Sequence, residues 1–274
     1  LPMPETSWIS RTRTILFVPV NIIPLIAFRV IFGGIMLWEV WRYFNYTRIY
    51  RYWIEPDLYF TYYGFGWVQP LPGDGMYWLW AGIGVLSVLI GIGLFYRVSS
   101  ILFFFVFTYT FLLDQTQYLN HFYLIVLIAF IMMFLPLGRA WSVEAWLRPK
   151  LRQATIPGWQ FYWLRIQLSI PYVYGGIAKL NADWLRGEPM RDWVLRRAEV
   201  PVIGPYLLTD FSPYFFSYGG LFFDLLVVPF ILWRRTRWLA FTAAVFFHLM
   251  NAWLFPIGIF PWFMIGALLL YLPP

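Results

Sequence analysis

The sequence predicts an all-α fold: a polytopic transmembrane helical bundle of about eight spans, with one amphipathic helix lying in the interface. Three observations lead there. The chain of 274 residues is 61% hydrophobic and 23% aromatic, and only 12% of it is charged, against about a quarter in a soluble domain. Its apolar residues come in runs near the ~20 residues that a helix needs to cross a bilayer, and its mean hydropathy is +0.64. The arginines lie between those runs, so the net charge of +7 reads as membrane topology and not as a surface for nucleic acid.

The spans are expected at 23–43, 76–96, 99–114, 119–137, 159–180, 212–233, 237–254 and 257–272. Arg11 and Arg13 precede the first, and Arg97 separates the second from the third. The second carries "GIGVLSVLIGIG" (82–93), small residues at a spacing that lets helices approach. Arg139, Arg148, Lys150 and Arg152 follow the fourth, and Arg234, Arg235 and Arg237 separate the sixth from the seventh. With a cytoplasmic N-terminus all these basic clusters fall on the cytoplasmic side. "WSVEAWLRPKLRQ" (141–153) reads as the interfacial helix. The stretches 44–75 and 181–211 mix both signs of charge with Pro, Gly and aromatics, and read as loops packed on the membrane surface. The last span contains Pro261 and is open to a re-entrant reading. "LPMPETSWISRTRT" lacks the features of a signal peptide, so the first span is expected to do the targeting.

That topology sorts the polar residues. Asp114, Thr116, Asn120 and His121 in "LLDQTQYLNHFY" lie at the outer turn between the third and fourth spans. Lys179, Asn181 and Asp183 lie at the outer end of the fifth, and His248 and Asn251 near the outer end of the seventh. Both histidines and one of the two lysines in the chain thus come from three segments to one depth and one face. Ionisable groups within a membrane mark a functional site by default. Singly, each has a plainer role: Asn181 or Asp183 caps a helix, and Lys179 snorkels to the surface. Asp224, inside the sixth span in "GGLFFDLLVV", is too short to snorkel. Arg29 and Arg165, in the inner half, are expected to serve carboxylates or carbonyls.

Desolvation turns a lysine into a usable general base, and nearby imidazole and amide donors can stabilise an oxyanion. Aromatic surroundings suit a flat, apolar substrate. The absence of cysteine excludes disulfides, thiolate catalysis and Cys-based metal sites. Two histidines without a closely spaced carboxylate are a poor zinc set, so no metal is expected. No Gly-rich phosphate loop is present. The residues alone lead to a membrane enzyme or binder acting on an amphipathic aromatic lipid. A transporter would more often show inverted repeats with paired broken helices.

At these residues the chain resembles the vitamin K-dependent gamma-carboxylase family. "GGIAKLNADW" is similar to the family's lysine segment, in which Lys-Leu-Asp-Ala-Asp-Trp follows a small-residue helix; here Asn181 replaces the first Asp. "LLDQTQYLNHFYL" is similar to Leu-Leu-Asp-x-Thr-x-x-x-Asn-His, and "FFHLMNAWLFPIGIFPWFM" to Phe-His-x-Met-Asn-x-x-Leu-Phe-x-Ile-Gly-x-Phe. "PLPGDGMYWLW", "GLFYRVSSILF", "WSVEAW" and "GGLFFDL" keep the family's order, so that the resemblance covers roughly residues 20–270.

The resemblance implies an enzyme that oxygenates reduced vitamin K, a naphthohydroquinone, to its epoxide with O2. The strongly basic intermediate then removes a gamma-proton from a peptide glutamate, and the carbanion adds CO2. Lys179 matches the base, and Asn120 and His121 match residues that position the hydroquinone or stabilise its oxyanion. His248, Asn251, Asp114 and Thr116 are expected to help bind the quinol. The implied partners are the lipid bilayer, the quinol and a glutamate-bearing peptide or protein. A bacterial inner membrane is the expected location, with the site toward the outer face. Family carboxylases continue into a further non-cytoplasmic domain, and residues 1–274 are expected to form the single integral-membrane domain. An even span count needs a further span, or a re-entrant eighth segment, to reach that side. The rival readings are quinol oxygenation without carboxylation and a non-enzymatic quinone- or lipid-binding membrane protein.

Overall fold

The computed structural model describes residues 14–201 and 203–273; Arg11 and Arg13 lie outside them. The chain forms two compact units, one reaching to Leu164 and taking in the residues from Leu272, the other running from Arg165 to Tyr271. The first unit contains α1 (Ile23–Asn45), α2 (Gly75–Ile92), α3 (Tyr96–Leu112) and α4 (Asn120–Met132). The boundary falls inside α5 (Gly158–Ala178). The second unit continues with α6 (Phe211–Leu232), α7 (Arg237–Leu254) and α8 (Phe260–Ala267), the last extended by the 3-10 turn Leu268–Tyr271. These eight helices coincide with the eight expected spans, with ends that differ by a few residues.

The protein is an all-α integral membrane protein. α1, α2 and α6 are long and apolar enough to cross a bilayer, and α3, α4 and Phe260–Tyr271 are shorter apolar helices. α5 and α7 have 21 and 18 residues, and carry the polar groups Arg165, His248 and Asn251 that packing or the site engages. The outward face of α6 presents Phe215, Phe222, Leu226 and Phe230, as lipid rather than water requires. The expected interfacial helix is present in two pieces, Val143–Leu147 and the 3-10 turn Pro149–Leu151. Pro149 cannot continue the first piece and drives Arg148 out of the helical region, to φ −128° and ψ 74°, as a residue before proline prefers. Trp141 before the first piece and Trp146 within it are exposed, in keeping with an aromatic belt.

Within the first unit, small residues set the helix spacing. A Cβ on Gly33 of α1 would lie 2.6 Å from the Ser87 carbonyl oxygen and 2.7 Å from Gly91 Cα on α2, and one on Gly84 would meet Val40 Cγ1 at 3.2 Å. The small-residue stretch of the second span is therefore the contact surface. Gly33→Ala should cost about 1–3 kcal/mol through overpacking. Gly34→Ala, where a Cβ meets nothing within 4 Å, should be neutral; thermal unfolding in detergent compares the two.

Arg29 is fully buried in α1 and donates to the carbonyls of Leu137 (2.6 Å), Ala140 (3.3 Å) and Trp141 (2.6 Å), the carbonyl role expected of it. Gly93, at φ +68°, makes room for this: its Cβ would stand 2.6 Å from Arg29 Nη1. Further along α1, buried Glu39 accepts from Arg42 at 2.6 Å and faces Arg48 at 3.6 Å. An antiparallel ribbon, β1 (Pro19–Asn21) on β2 (Thr155–Pro157), ties the segment before α1 to the segment before α5.

The second unit is pinned at its C-terminal side. Arg165 Nε donates to the Leu270 carbonyl at 2.9 Å, again the expected carbonyl role. The Tyr271 and Ser169 hydroxyls lie 2.7 Å apart. These bonds fasten the turn after α8 to α5.

Candidate functional site

Lys179 follows the last residue of α5, with its backbone N–H donating to the carbonyls of Gly175 and Gly176 at 3.3 and 3.2 Å. Its ammonium does not run to the surface. Nζ lies 2.5 Å from Asp224 Oδ2 on α6 and donates to the Gly175 carbonyl at 3.3 Å. The side chains of Lys179 and Asp224 are 19% and 10% exposed, so the pair is largely withdrawn from solvent. A carboxylate as short as Asp224 reaches the lysine because α5 and α6 approach closely. A Cβ on Gly175 would sit 3.1 Å from Asp224 Oδ2, and one on Gly176 would sit 2.6 Å from Leu225 Cδ2.

Trp184 closes a third side, with the ammonium 5.0 Å from its ring centroid. Two bonds fix that ring. The Asn181 side chain accepts from Trp184 N at 2.9 Å and so caps Ala182–Leu185, the capping role expected of it. The indole N–H donates to the Ser217 carbonyl at 2.8 Å. Carboxylate, carbonyl and indole face together satisfy one ammonium in an apolar wall.

That wall belongs to a cavity of about 340 Å³ within the second unit, lined by Lys179, Trp184, Trp193, Phe223, Phe247 and Asn251 among others. Lys179 and Asn251 thus meet in one cavity. His248 does not line it. Its Nε2 lies 2.7 Å from the Tyr172 hydroxyl, and its Nδ1 is buried and makes no hydrogen bond among the described residues. The rings of Phe223, Phe247 and Phe260 pack around it.

Asp114, Thr116, Asn120 and His121 belong to the first unit. Asp114 is buried, and its carboxylate accepts from the backbone N–H groups of Thr116 at 2.9 Å and Phe60 at 3.3 Å. It caps the 3-10 turn Gln115–Gln117 and anchors the loop before α2. Thr116 and Asn120 are exposed, and Asn120 is the first residue of α4. His121 is half-buried, edge-on to the Phe122 ring at 5.0 Å.

Sequence reasoning singled out Asp224 but did not join it to Lys179, and it passed over Trp184, Tyr172 and the Glu39–Arg42–Arg48 group. The Gly-Gly step at 175–176 was the available signal that α5 and α6 approach. Residues 17–274 match the family model of the HTTM domain. No solved structure matches the chain.

Proposed function

The chain belongs to the HTTM-domain family, the membrane domain of the vitamin K-dependent gamma-carboxylases, and from that membership we propose a membrane enzyme that oxygenates a reduced naphthoquinone and couples this to carboxylation of protein glutamate. One observation carries the reading: an amine, Lys179, held 2.5 Å from a carboxylate in the wall of an aromatic cavity. The cavity suits a bicyclic aromatic ring, and the amine suits its hydroxyl.

In this reading the Lys179 ammonium first gives a proton up to solvent, and the free amine then takes the quinol proton: the O–H bond breaks, an N–H bond forms, and Asp224 balances the ammonium so restored. The Asn251 amide donates to a quinol oxygen. Aromatic walls keep water from the strongly basic species that follow. Asn120 and His121 are assigned to quinol positioning or oxyanion stabilisation on the family resemblance. Asp114 holds the turn that presents them, while Thr116 and, on the family resemblance alone since it lies outside the cavity lining, His248 are the further quinol-binding candidates. O2 and CO2 are the co-substrates, a glutamate-bearing peptide is the second substrate, and no metal takes part. The arginines between spans support a bacterial inner membrane, with the site toward the periplasm.

The test uses protein in nanodiscs with vitamin K hydroquinone, O2, labelled CO2 and a glutamate peptide, assaying epoxide and fixed label together. Both products are expected. Epoxide alone would reduce the function to quinol oxygenation. Quinone binding with neither product would leave a binding protein.

A further inference from the structure

We propose that the cavity opens sideways into the bilayer between α6 and α7, and that Gly219 and Ala243 form the doorway through which the quinol's apolar, isoprenoid-type tail passes into lipid. This rests on the quinol reading of the same cavity and names what that reading leaves open, namely the substrate's tail and its route.

The outward face of α6 carries Phe215, Gly219, Phe222 and Leu226, at steps of three and four residues, and all are exposed. Ala243 and Phe246 are exposed on α7. A cavity closed inside a helical unit would be lined only by inward-facing residues. This one is lined by Lys179 and Asn251 and also by Phe215, Gly219, Ala243 and Phe246, of which Phe215 and Phe246 are 56% and 62% exposed. One continuous space therefore runs from the ammonium to the outward surface of two apolar helices.

The glycines separate packing from passage. Gly175 and Gly176 are small because Asp224 and Leu225 press on them, whereas a Cβ on Gly219 would meet nothing within 4 Å. Gly219 thus faces open space at the cavity mouth, and any larger side chain there would stand in it. Ala243, on α7, lines the same cavity and brings only a methyl group to it. The volume of about 340 Å³ is near the lower end for drug-sized ligands, roughly 300–1,000 Å³. It accommodates a ring system and not a ring with a long chain. The ion pair of Lys179 with Asp224 bounds the polar end, so the chain leaves by the apolar one.

The test measures binding of two quinones to the protein in nanodiscs by quenching of tryptophan fluorescence. One is 2-methyl-1,4-naphthoquinone, without a tail, and the other is the same ring with a tail of several isoprene units. Gly219→Leu and, independently, Ala243→Phe should each weaken the tailed quinone by about tenfold or more through steric exclusion, and leave the tailless one nearly unchanged. Phe222→Leu, on the same face but outside the cavity lining, should affect neither. Unchanged binding of the tailed quinone in both doorway variants would overturn the proposal. So would an equal loss of both quinones in variants that keep the wild-type melting temperature. Wild-type protein that binds neither quinone would instead remove the quinol reading itself, and the doorway with it.

Discussion

Lys179→Ala should lower quinol oxidation by about 10²–10⁴-fold, the contribution of a positioned general base, while the quinone still binds. The same substitution strands Asp224. Breaking a buried ion pair by removing one partner costs about 3–5 kcal/mol, and with side chains still 19% and 10% exposed the lower end is expected. Activity loss alone would therefore confound chemistry with folding. The double variant Lys179→Ala/Asp224→Asn separates them, since it removes the stranded charge. It should recover most of the lost melting temperature and none of the turnover. Thermal unfolding and epoxide formation, measured on the same samples, decide the matter. A lysine without a chemical role would give a double variant that regains both.

Arg29→Met should be the most destabilising single substitution in the first unit, at about 3 kcal/mol or more, because it leaves three acceptors without their donor. The guanidinium joins α1 to the carbonyls of Leu137, Ala140 and Trp141, and no methionine can donate to them. Arg29→Lys should recover only part of the loss, since one ammonium cannot reproduce the two-nitrogen fork that reaches these carbonyls. The readout is the melting temperature in detergent. A drop no larger than that of Gly33→Ala would show that water or a neighbouring group replaces the donor.

Bilayer thickness is why so much of the fold was legible in the sequence. A span must hold roughly 20 apolar residues whatever its neighbours do, so α1 starts at Ile23 and α7 covers Arg237–Leu254, both as expected from hydropathy. The interfacial segment was harder, because the tryptophans and arginines of 141–153 describe a surface while Pro149 decides how much helix it contains. The site was legible as residue types and less so as contacts. Lys179 and Asp224 are 45 positions apart, and they meet through the crossing of α5 and α6, which the residues at Gly175 and Gly176 set. His248 and Asn251 look alike as polar residues near the end of one helix. Asn251 lines the cavity, while His248 turns to Tyr172, 76 positions away. Asp114 resembles a site carboxylate in composition, yet its oxygen is engaged by two backbone N–H groups. Asn120 and His121 stand in the first unit and Lys179 in the second.

The ribbon between Pro19–Asn21 and Thr155–Pro157 bears on how the chain is made. Its two strands are separated by all four helices of the first unit, so no amount of local folding can join them early. At about 5–20 residues per second, the ribosome delivers the second strand on the order of ten seconds after the first. α1 to α4 are therefore made before Ile156 emerges to pair with Val20, and until then only contacts such as those of Arg29 hold them. A stalled nascent chain that exposes residues up to 150 would hold four inserted helices without their clasp.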